Sequence, residues 1–207
     1  MTTDEIPLLV QQELHSKTFG ITEQYLEILS PIYEDQKLKI DWVDRDKEDG
    51  STVVYIPVDE YFSLAVMLDE ETEEILGITT ESRNHVSLRV TSEPQSSKEL
   101  MSLTKLKPTR FWDKGDYKLN KRLRYDFSCI EFTPNPEPDE VEDKIEKLLS
   151  YLESDKKGIL SLPPNAYIQV VMDFHYGNQL LGDLTLKRKT LQRLSDLQLE
   201  ISFDFTA

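Results

Sequence analysis

The chain has a single cysteine, Cys129, so it cannot close an internal disulfide, and its stability must come from packing and polar contacts. No apolar run of signal-peptide type follows Met1, where the sequence reads TTDEIPLLVQQ. No stretch approaches the roughly 20 apolar residues needed to cross a bilayer. These absences predict a cytoplasmic protein of a reducing compartment with no membrane partner. Glycine is scarce, seven residues in all, and no phosphate-cradling glycine loop is found among them. The three histidines, His15, His85 and His175, have no second His, Cys or carboxylate at the spacing of a zinc site. Neither G-x-S-x-G nor H-E-x-x-H occurs. The expectation is a protein without metal, cofactor or catalytic residues, and therefore not an enzyme.

Charge and aromatic side chains are both plentiful. Charged residues make up 30% of the 207 positions, yet eight Phe, nine Tyr and two Trp are spread along the whole length, which a disordered chain would not carry. At this length the chain can bury one sizeable core or two small ones. The formal net charge of −15 is unevenly distributed: residues 1–91 hold 20 acidic and 7 basic side chains, residues 92–207 hold 19 and 17. So acidic a first half repels phosphate backbones and steers basic proteins toward it, which argues against nucleic acid and for a basic protein partner. Plain solubility explains the same charge without any partner. Asp69, Glu70, Glu71, Glu73 and Glu74 form the densest acidic stretch and are the candidate docking residues. Between Lys105 and Arg124 the sign reverses, with eight basic side chains against Asp113 and Asp116. The expected role of that segment is to pair with the acidic half inside the chain, not to bind nucleic acid.

Periodicity divides the chain in two. In residues 1–84, helical spacing over 6–16 and a second helical stretch from Thr22 through Tyr33 precede alternating runs. KLKIDWV and TVVYIPV flank the turn at Glu48–Ser51, and YFSLAVM and Ile75–Thr80 flank the turn at Asp69–Glu73. This predicts two helices against an antiparallel β meander. In residues 85–207, strands alternate with helices. Val86, Leu88 and Val90 share one strand face, with His85, Ser87 and Arg89 on the other. SSKELMSL reads as a short helix with a Ser cap. Leu123, Tyr125, Phe127 and Cys129 alternate as a half-buried strand, which places the Cys129 thiol on an apolar face as a buried, inert group. PNPEPDEVEDKIEKLLSYLES carries the clearest amphipathic helix, AYIQVVMDFHY the next strand, 188–197 a helix and LQLEISFDF a closing strand. The predicted fold class is α+β, with the second module a ferredoxin-like α/β sandwich.

Two constellations could carry function in the second module. On the polar face of its strands, Arg89, Arg124, Asp126, Asp173, His175 and Asp204 would converge if those strands are neighbours. Such a site would serve a small-molecule binding or enzymatic domain, with Asp173 able to orient the His175 imidazole. A solvated strand face is the ordinary alternative. The run Lys107–Asp116 (KPTRFWDKGD) holds the second: Arg110, Trp112 and Asp116 as binding residues, or equally a structural clasp. In the clasp, Trp112 is the apolar anchor and Gly115 takes a positive φ.

That run, with its flanking elements, resembles the bacterial domain-of-unknown-function family 4279 over about residues 85–207. Pro108, Thr109, Trp112, Gly115 and Asp116 match the family's Pro-Thr-x-x-Trp-x-x-Gly-Asp stretch. Leu199, Ile201 and Asp204 match its closing strand. The resemblance implies no catalytic assignment. It implies an association with immunity proteins that neutralise toxins, for which the acidic first module would supply the docking face; oligomeric state stays open.

Overall fold

A computed structural model describes residues 5–47, 49–119, 122–173 and 184–206. Helix α1 (Glu5–Ser16) buries Ile6, Val10 and Leu14, spaced four apart so that they share one face. Helix α2 (Gly20–Ile28) begins at Phe19, which offers no side-chain cap. The buried Glu13 of α1 does that work instead, accepting from the Thr18 and Phe19 backbone amides and the Thr18 and Thr22 hydroxyls. Burial works to raise the Glu13 pKa, but these hydrogen bonds outweigh it and hold the carboxyl below its ordinary value.

The predicted helix to Tyr33 ends early. Proline disfavours helical backbone in the residue before it, and Pro31 stands two residues after the Leu29 cap. The chain then makes a small hairpin of β1 (Tyr33–Glu34) and β2 (Lys37–Leu38), turned by Asp35 and Gln36 at φ 50° and 64°. KLKIDWV is therefore not one strand, because its first residues pair back onto β1 and only β3 (Trp42–Asp44) joins the main sheet. With β4 (Thr52–Pro57), β5 (Phe62–Asp69) and β6 (Glu74–Ser82), β3 forms an antiparallel meander in chain order. Val54, Ile56, Leu64, Val66 and Leu68 pack with Ile6, Val10 and Leu14 of α1 in one core.

The second module opens at β7 (Asn84–Ser92), one residue after β6. It continues through α3 (Ser97–Met101), β8 (Arg110–Trp112), β9 (Ser128–Phe132), α4 (Val141–Glu153), α5 (Lys156–Leu160), β10 (Ala166–Asp173), α6 (Arg188–Asp196) and β11 (Glu200–Thr206). The sheet order is β11-β10-β7-β9-β8; β10 and β11 run parallel and every other pair antiparallel. The α+β class stands, while this order does not confirm the ferredoxin-like detail. Val141, Ile145, Leu148, Leu149 and Leu152 of α4 pack against Val86, Leu88, Val90, Ile130, Phe132, Ile168 and Val170 of the sheet. Helix α3 carries a full capping box, with Ser96 and Glu99 each accepting from the other's backbone amide.

Two stretches differ from the sequence reading. Residues 122–127 are not strand, since β9 starts only at Ser128, and the edge strand is the short β8, within the run Lys107–Asp116 for which no strand is expected above. In β9 the alternation puts Ile130 and Phe132 toward α4. Cys129 lies on the opposite face, level with Trp112, and is buried there, not on the apolar side.

The modules meet through charge. Asp139, just before α4, is 1% exposed and accepts from Lys47 Nζ at 2.8 Å and Lys147 Nζ at 2.8 Å. Tyr55 of β4 donates to the same carboxylate at 3.3 Å. Lys47 also pairs with Asp143 at 2.7 Å, and Lys147 with the buried Asp44 of β3 at 3.1 Å. Burial works against the charge on Lys47 and Asp139 alike, but hydrogen bonds prevail: Lys147 and Lys47 hold the Asp139 carboxyl below its ordinary value, and Asp139 and Asp143 hold the Lys47 amine above its own.

Candidate functional site

The face of the five-stranded sheet turned away from α4 is where polar side chains gather. Register places Arg89 of β7 level with Glu131 of β9, and Glu131 level with Arg110 of β8. Arg89 donates through Nη1 to Gln169 Oε1 on β10 at 2.8 Å, and Gln169 Nε2 donates to Asp204 Oδ2 on β11. On its other side Arg89 lies 3.8 Å from Glu131 Oε2, and His85 Nε2 is 3.4 Å from Glu131 Oε1. A polar chain Glu131–Arg89–Gln169–Asp204 thus crosses four strands. The His85 hydrogen bond is the largest influence on Glu131; with the charges of His85, Arg89 and Arg110 it overcomes burial and holds the carboxyl below its ordinary pKa.

Trp112 roofs one end of this face. Its ring stacks on Tyr125 with centroids 4.6 Å apart, and the guanidinium carbons of Arg110 and Arg89 sit 5.2 and 5.7 Å from the ring centroid. The loop that brings Tyr125 there is built from the turn residues of the 107–116 run. Gly115, at φ 92°, donates to the Tyr125 carbonyl, and Asp116 Oδ2 accepts from the Asp113 amide. Asp113 Oδ1 accepts from the Ser97 amide at 2.6 Å, tying the turn to the start of α3. Thr109 bonds both ways with Thr133. Pro108–Asp116 therefore forms the clasp, and of its residues Arg110 and Trp112 also reach the polar face. Asp116 serves the turn.

Among the described residues, three buried polar atoms on this face make no hydrogen bond: Ser87 Oγ, Trp112 Nε1 and Arg89 Nε, the last lying 3.8 Å from Glu131 Oε2. Nine-tenths or more of such atoms in folded proteins are paired, so three within one face is unusual.

Of the remaining sequence candidates, Asp173 closes β10 on the same face, level with Thr206. His175 lies outside the described residues. Arg124 and Asp126 stay in the loop and do not join the face: Arg124 donates to the Gly115 carbonyl and lies over the Tyr117 ring at 3.8 Å, and Asp126 is exposed. Within the basic segment, Lys114 pairs with Glu93 at 3.6 Å and Lys118 lies over Tyr125. None of these partners belongs to the acidic first module. In that module Asp69 ties the β5–β6 turn by accepting from the Glu71 and Thr72 amides, and Glu70 pairs with Arg45 at 2.6 Å and accepts from Thr52. Glu71, Glu73 and Glu74 are exposed at the tip.

Sequence reasoning missed Glu131 and Gln169 as members of the site. Gln169 alternates with Ile168 and Val170 and was visible as a polar-face position of its strand. Glu131 was hidden by the misplaced start of β9. The Cys129 thiol lies within this region, but burial foremost pushes its pKa up, which opposes thiolate formation. Among the described residues no three His, Cys, Asp or Glu side chains are grouped as metal ligands would be, and no helix is long and apolar enough to cross a membrane.

Fold and site together define an α+β protein in which a helix-backed meander is joined by buried charges to a mixed sheet with a clasped polar face. The chain belongs to the family described as domain of unknown function DUF4279, whose pattern matches residues 80–207, from within β6 to the end of the chain. Comparison with curated proteins and with solved structures finds no match.

Proposed function

We propose that the chain is a non-catalytic binding protein of the cytoplasm, and that the polar sheet face around Arg89 recognises a carboxylate carried by a small molecule or a side chain. The observation behind this reading is the group of buried polar atoms that make no hydrogen bond among the described residues: Trp112 Nε1, Ser87 Oγ and Arg89 Nε, the last with Glu131 Oε2 at 3.8 Å. An unsatisfied buried donor costs about 1–3 kcal/mol, and a carboxylate offers the acceptor lone pairs that would relieve it. A guanidinium already oriented by Gln169 and Glu131 and lying against an indole ring loses little freedom on accepting such a ligand. NMR titration with acetate, succinate and glutarate tests the proposal. The Trp112 indole N–H resonance should move, that of the partly exposed Trp42 should not, and Arg89→Met should weaken the effect at least tenfold. An indole signal unmoved by all three ligands would count against the reading.

The exposed carboxylates at the β5–β6 tip favour a second reading, a docking face for a basic protein such as a toxin to which the chain confers immunity. Glu71, Glu73 and Glu74 are free to meet cations there, while Asp69 and Glu70 are held within the turn and by Arg45 and Thr52. Charges of this kind act mainly on association rate and its salt dependence. Co-expression with a basic toxin encoded beside the gene should protect the cell, and replacing the three glutamates by glutamine should abolish protection. Absence of protection by the unaltered chain would remove this reading.

A further inference from the structure

Away from the sheet face, the seam between the modules holds a cleft of about 250 Å³ whose lining includes Asp41, Ser63, Glu81, Asn84, Pro138 and Lys144. Glu81 and Ser63 face each other across β6 and β5, on the side of the meander that carries Tyr55 and Asp44, which bond to the Asp139 region. The Glu81 carboxyl makes no hydrogen bond or ion pair among the described residues. One further polar atom of a lining residue, Asn84 Oδ1, is buried without a partner among the described residues, while the Ser82 side chain turns to the other face of β6, level with Phe62.

Three of the cations near this cleft are already engaged. Lys47 and Lys147 are held by Asp44, Asp139 and Asp143. Lys144, 3% exposed, donates to the Asn84 carbonyl at 2.9 Å. Arg83 lies exposed at the rim. Inside the cleft the groups left open are acceptors, the Glu81 carboxyl and the Asn84 amide oxygen. We infer that this cleft is a second binding site, distinct from the sheet face, and that it takes an ammonium or guanidinium group, which would pair with Glu81 and satisfy Asn84 Oδ1.

The electrostatics of the empty cleft agree. Burial first, then repulsion from Glu140 and Glu142, raises the Glu81 pKa to about 8, with Asp139 adding to the rise and Lys47 opposing it. Burial also depresses Lys144 to about 8, against the pull of Asp139, Glu81 and Glu137. A carboxyl held back from ionising, with no ion pair among the described residues, is one that an incoming counter-charge would ionise.

Methylguanidinium and the blocked peptide acetyl-Gly-Arg-Gly-amide are the probes, followed by backbone amide NMR on the full chain. Methylguanidinium stays charged throughout, so ionisation of Glu81 should tighten binding about tenfold between pH 7 and pH 9. Shifts should cluster at Ser63, Glu81, Ser82 and Asn84, and Glu81→Gln should weaken binding at least tenfold. Binding of the peptide as well would identify a protein side chain as the source of the cation, and binding of methylguanidinium alone would identify a free small amine. Absence of binding by both probes overturns the inference, as do shifts confined to other surfaces or unchanged affinity in Glu81→Gln. Because the shift map is measured on the unaltered chain, it decides the question even if the variant folds poorly. It also leaves the carboxylate reading of the sheet face untouched, since that face reports through the Trp112 indole.

Discussion

Lys47 Nζ lies 2.8 Å from Asp139 Oδ1, joining residues 92 positions apart at the seam between the two modules, and both side chains are almost fully buried. The pair sits in a network with Tyr55, Asp143, Lys147 and Asp44. Its carboxylate is the shared acceptor.

Asp139→Ala should therefore cost more than removal of either lysine. It strands Lys47 without its main partner in a buried site, and breaking a buried pair in this way costs about 3–5 kcal/mol. Lys147 is more than a third exposed, so Lys147→Ala should cost no more than about 1 kcal/mol. Urea denaturation of both variants checks the ranking; equal losses would show that the network is not centred on Asp139.

The same carboxyl sets an acid limit. Its folded pKa is depressed, so the stability it confers is present above the unfolded value of 3.8 and is lost as pH falls through the folded value. Thermal melts between pH 6 and pH 3 should show a falling midpoint, with a shallower slope in Asp139→Asn.

Glu81 carries the opposite sign. Its folded pKa is raised to about 8 from 4.5, so its contribution is intact below about pH 4.5 and is eroded as pH rises toward 8. Glutamine mimics the protonated acid, so Glu81→Gln should raise the melting midpoint at pH 8, by the equivalent of roughly 1–3 kcal/mol, and leave it unchanged at pH 4. A variant no more stable than the parent at pH 8 would contradict this.

Trp112 is 7% exposed and anchors the clasp through Tyr125 and Phe127. Trp112→Ala should cost about 3–5 kcal/mol, the range for large aromatics lost from a packed site. Hydrogen exchange should quicken at the Gly115 and Tyr125 amides, which bond across the loop, ahead of β7 amides such as Leu88. Uniform acceleration throughout the module would show that Trp112 supports the whole core and not the clasp.

Gly158 offers a check on the α4–α5 corner. A Cβ there would meet the Thr104 backbone Cα at 2.9 Å and the Asp155 carboxylate, which accepts from Thr104 and Lys105. Gly158→Ala should destabilise by about 1–3 kcal/mol despite alanine's better helix propensity, as read by the chemical denaturation midpoint.

Much of this molecule was legible residue by residue. The stripe from Val141 to Leu152, the meander after Thr52, the Ser96 cap and the turn chemistry of Asp113–Asp116 are all local. A side chain's burial periodicity and a turn's φ demand depend only on near neighbours in the chain. The gathering of acidic residues in the first half is equally a property of sequence. The early stop of α2 lies in Pro31, and β9 is shorter than its pattern suggests because Leu123–Phe127 alternates like a strand while Tyr125 and Phe127 pack on Trp112 and Leu123 stays exposed. Tertiary structure alone decided which charges meet. That Arg89 lies between Glu131 and Gln169 follows from the order β10-β7-β9. That Asp139 holds Lys47 and Lys147, while Glu81 faces a cleft with no partner, follows from how one module covers the other. Pairing and desolvation depend on what the fold brings from far along the chain, and no local pattern encodes that distance.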